Sequence, residues 1–153
     1  QHIKIKSFLE KTSPYKIFIK SEAGKHKVTK VFSTIMMYCI QNKELERTIL
    51  MLDLDCDELS KRQKEIENDI MGKRVSEPLT ISYNPLKEND LLYLLECEVL
   101  TKENRDLLGK FYLILFNPSL EKVLEQFGSG SIENRLSKLV KNNNIKTIFK
   151  EIM

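Results

Sequence analysis

The 153-residue chain has no tryptophan, two histidines, three cysteines, five glycines and four prolines. Each shortage closes a class of explanation. Cys39, Cys56 and Cys97 stand singly, with no Cys-x-x-Cys pair and no histidine at zinc-ligand spacing, so neither a disulfide framework nor a structural zinc site is expected. His2 and His26 lack a nucleophile-elbow partner, which argues against a Ser-His-Asp hydrolase. Sparse glycine and proline exclude collagen-like and proline-rich chains. Gly24-Lys25 lacks the upstream glycine of a phosphate-binding P-loop, and no G-x-G-x-x-G occurs. The longest uncharged stretch, Val31 to Asn42, has 12 residues, whereas a membrane-spanning helix needs roughly 20 apolar ones. No membrane partner is expected. Lys4 and Lys6 precede no long apolar core or small-residue cleavage site, so the expectation is a reduced, cytoplasmic protein without a secretory signal, with Gln1 as a trimmed start.

What is present is enough for one folded domain over residues 1–153, at 41% hydrophobic and 31% charged. Its core is expected over about 15–127 and its C-terminal helices over 131–153. The net charge of +3 hides an asymmetry: residues 1–30 hold eight lysines against two glutamates, while the acids gather between Glu44 and Glu125. A basic flank beside an acidic middle suits a polyanion held near metal-binding carboxylates. Ordinary solvated lysines are the alternative reading.

Hydrophobic spacing predicts alternating strands and helices. Tyr15 to Lys20 reads as a strand, and Lys25 to Asn42 as a core-facing helix through Val28, Phe32, Ile35, Met36 and Ile40. Thr48-Ile49-Leu50-Met51-Leu52 reads as a strand buried on both faces and running into Asp53-Leu54-Asp55-Cys56-Asp57. A surface helix with a thin stripe of Leu59, Ile66 and Ile70 follows, capped by Asp57 or Ser60 and ended by Gly72. Leu79 to Tyr83 is a third strand, and Asn84-Pro85 is expected to open a helix that buries Leu91, Leu92, Leu94, Leu95 and Val99. Lys110 to Phe116 is the strongest strand signal. Asn117 and Pro118 then fit the cap and first position of a helix ended by Gly128, and two short helical patterns follow. The expected fold is a single α/β domain with a mainly parallel sheet of about four strands and helices on both faces.

In an open parallel sheet, ligands bind beyond the carboxyl ends of the strands. Two of those loops carry acids: Glu22 after the first strand, and Asp53, Asp55 and Asp57 after the second. In extended chain, residues two apart face the same side, so Asp53 and Asp55 can share one ion while Leu54 points inward. Clustered carboxylates are the hard oxygen donors that Mg²⁺ or Mn²⁺ takes. Lys25, Lys27 and Lys30 open the first helix, where backbone N–H groups already favour anions, and are candidates for gripping a nucleic-acid backbone.

An acid-bearing loop after the first strand, a helix, and an apolar strand running into Asp53-Leu54-Asp55 together resemble the Toprim domain of topoisomerases, primases and related nucleases. The resemblance covers about residues 15–58 and implies a Toprim/Rossmann-like sheet. It implies that Glu22 acts as general acid or base and that Asp53 and Asp55, with Asp57 as a further acid, bind Mg²⁺ for phosphodiester chemistry on DNA or RNA. Asn117-Pro118-Ser119-Leu120-Glu121 resembles the Asn-Pro-x-aromatic-Glu segment of RloB-type Toprim proteins, with Leu120 in the aromatic position. It makes Asn117 and Glu121 secondary site candidates. Two other readings stay open: a non-catalytic module of the same fold, acting as a homodimer or in a larger assembly, and a haloacid-dehalogenase-type phosphatase, which also places Asp-x-Asp after a strand.

Overall fold

A computed structural model describes residues 25–41, 48–55, 58–71 and 78–142. The expected strand at 15–20, Glu22, Asp57, Gly72 and the last helical pattern beyond 143 lie outside the described residues. The elements run α1 (Lys25–Gln41), β1 (Ile49–Asp53), α2 (Leu59–Met71), β2 (Leu79–Glu88), β3 (Leu92–Thr101), β4 (Leu107–Phe116), α3 (Leu120–Glu125) and α4 (Ile132–Lys141). The four strands form one sheet in the order β1-β4-β3-β2.

The sheet is mixed, which corrects the expectation of a mainly parallel one. Only β1 and β4 run parallel, with Asp53 opposite Phe116, while β2 with β3 and β3 with β4 are antiparallel. Turn length decides this: Asn89 to Leu91 and Lys102 to Asp106 are short enough for hairpins, and a parallel connection needs a crossover of a dozen residues or more. Asn89 builds the first turn, its side-chain oxygen accepting the N–H groups of Leu91 and Leu92 at 2.8 and 3.0 Å.

The second correction follows from the first. The helix expected from Asn84-Pro85 through Val99 is instead the end of β2, the turn, and β3. Leucines at 91, 92, 94 and 95 satisfy a helical period, but they also satisfy a strand covered on both faces. Leu92 and Leu94 enter the core on one face, and Leu95, Cys97 and Val99 that on the other. Pro85 is accommodated because β2 is an edge strand among the described residues, with a register irregularity between Pro85 and Lys87.

Helices cover both faces of the sheet. On one, Phe32 and Met36 of α1 and Ile66 and Ile70 of α2 pack with Leu50, Leu52, Leu95, Cys97, Phe111 and Leu113. Phe32 and Phe111 meet with ring centroids 4.8 Å apart, tilted by 55°. On the other face, Val123 and Leu124 of α3 and Leu136 and Leu139 of α4 cover Leu92, Leu94, Ile114 and Phe116. The thin stripe expected on α2 is present, but it has an unexpected member: Arg62 lies fully buried between Leu59 and Ile66. No helix among the described residues is long and apolar enough to cross a membrane.

Candidate metal centre at the ends of β1 and β4

The parallel pair brings two loops to the same end of the sheet. β1 is pulled into the sheet by its apolar side chains, and Leu54, just beyond it, is buried as its inward position requires. The chain then stays attached to the strand beside it. Leu54 N–H donates to Phe116 O at 2.9 Å, and Asp55 N–H donates to Pro118 O at 3.0 Å. In return, Leu120 N–H donates to Asp53 Oδ1 at 2.7 Å. These three bonds clasp residues 53–55 to residues 116–120, so the two segments that sequence reasoning singled out separately are physically one place.

The clasp also explains where the following helix starts. Asn117 and Pro118 were expected as its cap and first residue, but both are occupied: Asn117 N–H donates to Leu91 O at 2.8 Å, and Pro118 O holds Asp55. The Asn117-Pro118 bond is cis. Ser119 is the cap, its hydroxyl accepting from Lys122 N at 3.2 Å. Glu121 sits exposed in the first turn of α3.

Asp55 departs from the extended geometry that the alternation argument assumed. Its φ is +54°, in the left-handed region, and its side chain is exposed. For an L-residue that conformation costs roughly 1–2 kcal/mol, less for Asp than for most. The hydrogen bond from its N–H to Pro118 O holds it there. Asp53 and Asp55 thus share a strand end through a turn in the chain, not through a continued pleat.

Beneath Asp53 lies Arg62, which sequence reasoning missed. Its Nε donates to the main-chain oxygen of Asp53 at 3.0 Å, and Nη1 reaches Glu65 Oε2 at 3.1 Å. Nη2 is buried and meets no acceptor among the described residues. An unpaired buried donor costs about 1–3 kcal/mol. The signal that could have found it is its position: a charged residue three after Leu59 and four before Ile66 interrupts the apolar stripe of an otherwise ordinary surface helix.

Lys25, Lys27 and Lys30 fall in the first turns of α1, and that part of the helix is seated on the end of α2: Thr29 Oγ1 donates to Asp69 Oδ2 at 2.9 Å, and Ser33 Oγ to Ile70 O at 2.6 Å. Asp69 lies two turns further along α2 than Arg62, away from the Asp53 end.

Among the described residues, no three His, Cys, Asp or Glu side chains converge as a metal-ligand group. Asp53 and Asp55 contribute two carboxylates at one strand end. Carboxylate oxygens are the ligand type that Mg²⁺ takes, commonly one or two of them with water and phosphate oxygens completing its octahedron. Comparison of the chain with protein-family models, with curated proteins and with solved structures gave no match.

Proposed function

We propose that the joined ends of β1 and β4 carry Mg²⁺- or Mn²⁺-dependent phosphodiester chemistry on DNA or RNA, of the kind Toprim nucleases perform. Asp53 and Asp55 hold the metal, Asp57 adds a carboxylate, and Glu22 moves the proton. The bound ion supplies polarisation of the phosphate and stabilisation of the leaving oxygen. The observation that supports this reading is the clasp, because it sets two acidic residues and the Asn117–Glu121 loop at the carboxyl ends of neighbouring parallel strands.

The Leu120 amide is compatible with this role. A carboxylate offers about four acceptor positions, so an N–H on Oδ1 orients Asp53 while a cation takes another lone pair. Asn117 and Glu121 stand at the same end as secondary candidates for contacting the substrate. Lys25, Lys27 and Lys30, in the first turns of α1, serve as a source of long-range attraction for a polyanion.

The test is cleavage of labelled single- and double-stranded DNA and RNA with Mg²⁺ or Mn²⁺. The wild type cleaves at least one of these, and Asp53→Asn abolishes the reaction while circular dichroism stays unchanged. Equal cleavage by the variant sinks the assignment. A second reading, a non-catalytic interaction module, is favoured by one observation: Asp53 already has a structural task, tying α3 to β1. Mn²⁺ titration read by thermal shift separates the two, since a ligand specific for the native state raises the midpoint. A shift in the wild type that Asp55→Ala loses supports the metal site. No shift in either protein supports the module.

A further inference from the structure

We infer that Arg62 is a positioning residue for Asp53, fixing the main-chain end of β1 so that the carboxylate keeps its place at the clasp. The inference deepens the metal reading of Asp53 and rests on it for its functional consequence. Asp53 is gripped twice, from opposite faces of the sheet. From the face covered by α2, Arg62 Nε holds its carbonyl oxygen at 3.0 Å; from the face covered by α3, Leu120 N–H holds its carboxylate at 2.7 Å. The first contact sets where the backbone ends, and the second sets which way the side chain turns.

Stability is a poor explanation for this arginine. A fully buried guanidinium whose charge is met by a half-exposed Glu65, and whose Nη2 has no acceptor among the described residues, sits where an aliphatic side chain would extend the stripe of Leu59, Ile66 and Ile70. Buried ionic groups of this kind are often replaceable by apolar ones with no loss of stability. What an aliphatic residue cannot supply is the directed donor on Asp53 O. The rigid guanidinium fixes the two directions together: with Nη1 turned to Glu65, Nε–H is aimed at Asp53 O.

The experiment is residue-resolved amide hydrogen exchange on the full chain, comparing wild type with Arg62→Met and Arg62→Lys. Leu120 and Asp55 report the clasp, because their amides donate to Asp53 Oδ1 and Pro118 O. Leu94 and Ile114, paired in the β3/β4 ladder, report the core. In Arg62→Met the clasp amides exchange about ten-fold faster or more while the ladder amides and the melting temperature hold. Arg62→Lys, which keeps one directed donor, recovers part of the protection. Clasp amides unchanged in both variants overturn the inference, as does a loss shared equally by clasp and ladder. If Arg62→Met fails to fold, the same two criteria apply to Arg62→Lys. A parallel Mn²⁺ titration is expected to show affinity lowered by about ten-fold or more, as for outer residues that orient metal ligands. If the wild type binds no Mn²⁺, the metal reading fails, and the amide readout still decides whether Arg62 positions Asp53.

Discussion

Phe111, Leu113 and Ile114 in the middle of β4 are held by apolar surface that water does not reach, whereas Asp53 and Asp55, at the end of the neighbouring strand, are held by directed hydrogen bonds. The ladder of β2, β3 and β4 pairs almost residue for residue over ten-residue strands and is packed on both faces. The clasp at the end of β1 uses three inter-loop bonds, one left-handed aspartate and an arginine whose Nη2 meets no acceptor among the described residues. The two regions divide stability from geometry: the ladder supplies the larger share of the first, while the clasp adds less and fixes the direction of Asp53.

The contrast is broken most severely from the ladder side. Phe111→Ala removes a fully buried ring that also contacts Phe32, and urea titration is expected to show a loss of about 3–5 kcal/mol. Asp53→Ala deletes a charge-assisted bond to Leu120 and is expected to cost about 1.5–3 kcal/mol by the same method, with local loosening of α3 in hydrogen exchange. A larger loss than that of Phe111→Ala would show that the clasp, not the ladder, carries the fold.

Alkaline pH acts on the ladder through protons. Burial, reinforced by the charge of Glu96, pushes the Cys97 thiol well above its ordinary value of 9.0. Burial, with Cys97 and Glu67 adding to it, does the same for the Tyr83 hydroxyl, ordinarily near 10.0. In each case the unfolded chain ionises first. The stability is therefore whole below about pH 9 and falls as pH rises past those ordinary values, by at most about 1.4 kcal/mol per pH unit for each group. Urea midpoints at pH 8, 9 and 10 measure the slope, and Cys97→Ala is expected to flatten it between pH 9 and 10. The smallest effect is at Asp55→Gly: relief of the left-handed backbone and the greater freedom of the unfolded chain nearly cancel, leaving stability within about 0.5 kcal/mol. Divalent binding is expected to weaken in that variant, which separates the two regions more sharply than any core change.

Much of the frame was legible. The continuous apolar run of β1, the inward Leu54, the strand at Lys110 to Phe116 and the amphipathic pattern of α4 all appear where spacing puts them, because each is a local pattern facing a core that exists. β3 was misread because two burial faces and a helical period demand the same leucines. The deciding information lay in the Asn89-Asp90 turn and in the alternating acids Glu96 and Glu98, which lie on the sheet face opposite Leu95, Cys97 and Val99 and pair with Lys110 at 3.6 and 3.5 Å. At the site, Asp53 and Asn117 were each visible as residues after strands, but their union was not. It depends on β4 inserting between β1 and β3, a pairing that no local pattern encodes.

The bond from Leu120 to Asp53 spans 67 positions of the chain. The hairpins of β2, β3 and β4 close over a few residues each, so they are favoured early, whereas β1 must wait for a partner that is synthesised some sixty residues later. The candidate centre consequently comes into being only as the last strand-to-strand closure is made. Its carboxylates are set in place by the completion of the sheet, and a nascent or partly unfolded chain carries the same acids without the centre.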